Sequence, residues 1–198
     1  MKRSVVGAMV VCLSAVSGFA AGSVEWKKVD NWTVFMDPTM GNACYVAAVY
    51  EGGTILRVGF DFAGSVRQIY LALGNDNWKS LEAGKDYPVQ IQFDNEVEWA
   101  ATATGRKNND ATWLYVTTTD TGFLEEFSRK LGMRTTFRGT EIARLQLKGS
   151  SRAITEMLSC QSAVNEMMGA RNEQAAPPSQ DPFAPTPEVK SATDPFDL

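Results

Sequence analysis

Histidine does not occur in the 198 residues. Its absence removes Ser-His-Asp and Cys-His catalysis, imidazole metal sites and the usual general base near neutral pH. Cysteine is scarce too, at three residues, Cys12, Cys44 and Cys160. Beyond the first twenty or so residues there is no apolar run long enough to cross a bilayer, so no membrane span is expected. No GxSxG, P-loop or GxGxxG pattern is present. These absences leave no catalytic residue to nominate, no metal site and no cofactor.

The N-terminus reads as a leader. Lys2 and Arg3 precede the short apolar run "SVVGAMVVCLSAVSGF", and "GFAAGS" supplies small residues for cleavage after Ala20 or Gly22. A lipid-modified Cys12 is disfavoured because Val11, not a small residue, precedes it. Removing residues 1–22 lowers the basic count from 19 to 17 against 23 acids, a net charge of −6. That balance argues against nucleic acid, whose binding rests on phosphate neutralisation. It also leaves two cysteines. In an oxidising compartment Cys44 and Cys160 have one intramolecular pairing, the alternative being two buried free thiols. The closed loop of about 115 residues would stabilise the fold by roughly 4–5 kcal/mol on the chain-entropy account.

Residues 23–170 read as one β-rich globular domain. "NACYVAAVYEGGTILRVGFDF" is the clearest hairpin. A two-residue Gly52-Gly53 turn would place Tyr45 opposite Phe60 and Ala47 opposite Val58 on a core face, with Cys44, Val46 and Arg57 on the other. Further strands are expected over 66–73, 87–94, 97–104 and 111–118, with a short helix at 122–131. "MRTTFR" and "EIARLQLK" form a second hairpin. Its odd positions face the core, so its loop needs an odd count, met by Arg138-Gly139-Thr140 with a glycine bulge. Apolar residues then recur at helical spacing over 151–168, with Cys160 beside the stripe. The expected fold is therefore mostly β, an antiparallel sandwich-like sheet with a short helix and a C-terminal helix packed on it. The disulfide would pin that helix to the half-covered side of the first hairpin. The five tryptophans are expected in the core or at its rim.

From Arg171 the composition shifts. Residues 171–198 hold six of the eight prolines and few aliphatic side chains, a pattern expected to stay disordered. "DPF" occurs twice there, which makes Phe183 and Phe196 candidate anchors for a partner groove, against the reading of a compositional accident.

Two polar clusters remain. Asp94, Glu96 and Glu98 alternate near a strand end and could do acid–base work on glycosides, although such a run is usually a solvated edge. Arg134 is expected opposite Arg144, with Lys148 nearby. Like charges so placed destabilise a sheet and would be relieved by an anion: a carboxylate of the same protein, a lipid headgroup or a polyanionic glycan.

"W…V…D" near the mature start, "C…Y" on the next strand and the closing "EIARLQLKGSSRAITEMLSC" resemble small exported proteobacterial proteins of the invasion-associated locus B family. The match over the last part rests on Leu145, Leu147, Gly149, Ala153 and Leu158 and covers about 30 residues. Members of that family carry more cysteines than this chain. The resemblance implies an exported, envelope-associated, sandwich-like domain and transfers no catalytic residue. The function expected is a periplasmic or secreted, non-enzymatic binding protein whose partner is another protein or an anionic envelope component. A carboxylate-based hydrolase acting on envelope glycans and a structural accessory stay open as alternatives.

Overall fold

The computed structural model describes residues 22–108 and 111–175. Residues 1–21 of the expected leader, Cys12 among them, and Phe183 and Phe196 of the expected tail lie outside them. Ten strands form a single antiparallel sheet: β1 (Val24–Val29), β2 (Trp32–Asp37), β3 (Ala43–Val49), β4 (Ile55–Asp61), β5 (Gln68–Gly74), β6 (Asp86–Phe93), β7 (Trp99–Asn108), β8 (Ala111–Thr118), β9 (Gly132–Phe137) and β10 (Thr140–Gln146). Helix α1 (Gly122–Arg129) precedes β9, and α2 (Ser150–Ala175) follows β10. The spatial order is β1-β2-β3-β4-β5-β8-β7-β6-β9-β10. The chain divides into two compact units after Gln161, the second containing the remainder of α2. The helix runs through Ala175, so the first residues of the proline-rich region are helical.

The expected strands are present, β8 with the expected ends and most others with shifted ones, but both hairpin loops differ from expectation. Between β3 and β4, Tyr50 N–H donates to Thr54 O at 2.9 Å and Gly53 N–H to Tyr50 O at 3.1 Å. The loop is thus Glu51-Gly52-Gly53, a residue longer than a Gly-Gly turn, with both glycines at positive φ. Tyr45 consequently pairs with Gly59, and Ala47 with Arg57. Because side chains alternate, one extra loop residue turns β3 over: Cys44, Val46 and Ala48 face the core with Leu56 and Val58. Between β9 and β10 the opposite holds. Arg138 and Gly139, at φ 51° and 76°, make a two-residue turn, and the extra residue sits in a bulge between Glu141 and Ala143. The odd count was the right requirement; the chain meets it in the strand.

The inner face joins Val34, Val46, Leu56, Val58, Leu71, Leu73, Leu114, Ile91, Phe93, Met133 and Leu145, all buried. Helix α1 links the two halves of the sheet. Phe127 is fully buried, with ring centroids 6.1 Å from both Trp32 of β2 and Phe93 of β6, edge-on to each. Asp120 Oδ1 accepts from Gly122 N–H at 2.9 Å and so caps the helix; Thr121 makes no side-chain cap. The β10 margin is tied back by side chains. Trp32 Nε1 donates to Lys148 O at 3.1 Å and Tyr50 Oη to Gln146 O at 2.8 Å.

Cys44 and Cys160 are both fully buried and bonded, S–S 2.04 Å. The tie between sheet and helix is as expected, but it lies on the inner face, not on a half-covered outer one. Beside it, Cys44 N–H donates to Gln161 Oε1 at 2.8 Å. Replacing Gln161 by Leu leaves that buried N–H unpaired and is expected to lower stability by about 1–3 kcal/mol in urea titrations. A change below about 0.5 kcal/mol would mean that the amide finds another acceptor.

Candidate functional site

The outer face of the sheet changes character along its width. Over β6, β9 and β10 it is polar and open. The register sets Gln92, Arg134 and Arg144 side by side across three strands. Arg134 Nη2 donates to Gln92 Oε1 at 2.6 Å and to Glu98 Oε1 at 3.0 Å. Arg144 grips Glu141 through two nitrogens, Nε to Oε1 at 2.9 Å and Nη2 to Oε2. This hydrogen bond holds the Glu141 carboxyl below its ordinary range and raises Arg144 above its own. The arginines are opposite each other, as expected, and the anions that relieve them are carboxylates of the same chain. Lys148 is not in this cluster. It lines a separate depression of about 470 Å³ with Trp32, Tyr50 and Glu51, and Arg144 borders both.

A groove of about 640 Å³ lies over this half, walled by Gln92, Asp94, Asn95, Arg134, Arg144 and Gln146. Its charges are largely matched. Arg134 Nε is nevertheless buried without a partner among the described residues. The candidate acid cluster is dispersed: Asp94 accepts from Leu131 and Gly132 N–H at 3.1 and 2.8 Å, Glu96 pairs with Lys130, and Glu98 with Arg134. The three carboxylates each serve a different partner. Asn75 does turn work, its amide donating to Gly52 O at 3.0 Å and Thr54 Oγ1 at 2.8 Å.

Over β2, β3, β4, β5 and β8 the same face is aromatic and buried. Phe35, Tyr45, Tyr70, Trp113 and Tyr115 cluster over Ala47 and Ala72. Small residues make room for the rings: a Cβ on Gly59 would lie 2.3 Å from Tyr45 Cβ, and one on Gly74 would lie 2.7 Å from the Trp113 indole. Tyr45 stacks on Phe35 and Tyr70 on Tyr115, each with centroids 5.2 Å apart. Burial raises all three tyrosine hydroxyls above their ordinary value, so they stay neutral.

Arg57 stands within this cluster. It is 2 % exposed, with its guanidinium 4.3 Å from the Trp113 ring centre and 5.3 Å from that of Tyr45. It has no ion pair among the described residues, and its Nε has no hydrogen-bond partner. The acids on this face are engaged elsewhere: Asp61 with Arg106 at 3.4 Å, and Asp37 with Thr39. Burying a charge costs several kcal/mol, and a desolvated cation–π contact returns about 2 kcal/mol.

Sequence reasoning missed this cluster because a loop one residue short put Tyr45 and Arg57 on opposite faces. A signal was there: Tyr45-x-Ala47, Arg57-x-Gly59, Tyr70-x-Ala72 and Trp113-x-Tyr115 each set large or small residues at period two, a pattern of rings laid over gaps. Comparison with protein-family models, with curated proteins and with solved structures finds no match to this chain.

Proposed function

We propose that this chain is an exported, non-catalytic binding protein of the bacterial envelope, with its ligand in the groove over β6, β9 and β10. The observation that carries the reading is the groove's wall: six side chains that offer donors and acceptors together, with charges already matched by neighbours. Such a wall suits a hydroxyl-rich glycan, whose groups both give and take hydrogen bonds, better than a bare anion, which would have to displace Glu98 or Glu141. The buried disulfide supports an oxidising compartment, and no helix among the described residues is long and apolar enough to cross a membrane. A carboxylate-based glycosidase would need two carboxylates converging on one bond, and Asp94, Glu96 and Glu98 each serve a different partner.

The test is an oligosaccharide array with neutral and anionic members. Arg134→Gln with Arg144→Gln is expected to weaken binding at least about tenfold, the value of one charged hydrogen bond. Raising salt from about 0.05 to 0.3 M is expected to change affinity by less than about threefold. A steep salt dependence confined to anionic members would instead favour a polyanionic ligand. Silence across the array, with the fold intact, rejects the groove as a glycan site.

A further inference from the structure

We propose that the mouth of the core between β6, β8 and β9 is a second binding site, separate from the groove, for a small uncharged aromatic molecule carrying one hydroxyl group. Alternation turns Tyr87 and Phe137 to the inner face with Val89 and Met133, and both stand at the ends of their strands, β6 and β9. A cavity of about 210 Å³ opens there. Tyr87 and Leu114 are its buried members, whereas Trp78, Leu81, Phe137 and Ile142 are half-buried and leave surface free. Asn77 and Ser80 complete the wall and are exposed, so the cavity is within reach of solvent. The connection between β5 and β6 supplies the Trp78 side and is fastened at both ends. Asn75 holds Gly52 and Thr54, and at the far end Gly84 N–H donates to Gly105 O at 2.7 Å and Gly105 N–H to Lys85 O at 2.8 Å. Between them, Trp78 N–H donates to Asn75 O at 3.0 Å and Leu81 N–H to Trp78 O at 3.2 Å. The fold itself builds the cavity, as in most small-molecule sites.

Size, shape and polarity each narrow the ligand. An apolar cavity of about 150 Å³ is enough to hold benzene, so this one has room for a single ring with a small substituent. Tyr87 and Phe137 meet edge-on, with centroids 5.7 Å apart at 68°, and Trp78 adds a third ring. Rings so set offer both faces and edges, which suits a flat aromatic occupant better than a puckered one. No charged side chain belongs to the wall. An ionised group would lose its hydration there without a counter-charge, which excludes a carboxylate or an amine. The polar groups of the wall are unspent. Tyr87 is 7 % exposed; its Oη accepts from Glu82 N–H at 2.9 Å, but among the described residues its hydroxyl proton has no acceptor. The Asn77 amide and the Ser80 hydroxyl likewise make no side-chain hydrogen bond to a described residue. One hydroxyl on the ligand, able to give and to take, meets this need.

The experiment titrates the isotope-labelled, disulfide-bonded protein and follows its amide resonances. The probes are phenol, benzene, which lacks the hydroxyl, and cyclohexanol, which keeps it on a saturated ring. Phenol is expected to bind saturably with a Kd of about 0.1–5 mM, the range open to a ligand of so few atoms. The amides that move should be those of Trp78, Leu81, Phe137 and Ile142, and not those of Arg134 and Arg144. Benzene and cyclohexanol are each expected to bind at least about fivefold more weakly, for loss of the hydrogen bonds and of the ring contacts respectively. Ile142→Trp, which fills the cavity from a half-buried position, should abolish binding. Tyr87→Phe, which keeps the ring and guards against a bulkier variant that fails to fold, should bring phenol down to the affinity of benzene. Equal affinity for phenol and either analogue would overturn the proposal. So would undiminished phenol binding in Tyr87→Phe or in a folded Ile142→Trp, resonance shifts confined to residues away from the cavity, or no saturable shift with phenol up to about 20 mM. None of these outcomes touches the groove reading, which uses other residues.

Discussion

The chain carrying Cys44→Ala and Cys160→Ala is expected to melt about 10–15 °C below the disulfide-bonded parent. The bond spans a sequence separation of 116, which makes it a long-range constraint on the unfolded chain. For a loop of that length the chain-entropy account gives about 4–5 kcal/mol, and for a domain of this size each kcal/mol moves the midpoint by about 2–4 °C. Both cysteines are fully buried, so two alanines in their place also leave small gaps beside Gln161. The single variants should be no better than the double, because each leaves a buried thiol without its partner. Calorimetry of the three proteins under oxidising conditions decides the matter. A double variant within about 1 kcal/mol of the parent would show that α2 is held by packing alone.

Phe127→Ala is expected to cost about 3–5 kcal/mol, the range for a fully buried aromatic residue. The argument is one of position more than of size. Helix α1 is eight residues long, too short to persist without tertiary contacts. Phe127 is its deepest side chain, and it meets Trp32 and Phe93 from two distant parts of the sheet. Truncating it removes the piece that both halves share. Two readouts are expected to move together: the urea midpoint falls, and amide protection across Gly122–Arg129 drops by more than across β3 and β4. Uniform loss of protection would mean that α1 does not report a local join. A loss below about 1 kcal/mol would mean that the cavity collapses around Leu124 and Phe123.

Legibility differed between levels. Strand and helix placement could be read because alternation and 3.6-residue recurrence are properties of each segment. "ATWLYVTT" became β8 with the same ends, and the opposition of Arg134 and Arg144 came through intact. The parity argument at 133–147 succeeded because apolar residues on both strands demanded an odd offset, wherever the chain put it. At 43–62 the same reasoning failed. There both faces of β3 are apolar, so the pattern did not discriminate between a two-residue and a three-residue loop, and the Gly-Gly pair suits either. The arginines' own partners were also beyond reach. Glu141 is local, but Glu98 comes from β7's approach, and its presence beside Arg134 depends on β6 lying between β7 and β9.

The amino-acid order alone indicated a mostly β domain closed by a C-terminal helix and, with Cys12 set aside in the expected leader, one possible intramolecular pairing, Cys44 with Cys160, which the structure shows formed. The tertiary structure decided the strand order, which face of β3 meets the core, and hence that Arg57 lies among rings instead of facing water. The physical reason is the same in each case. Periodicity is written within a strand, whereas register between strands turns on a single loop residue and on neighbours far away in sequence.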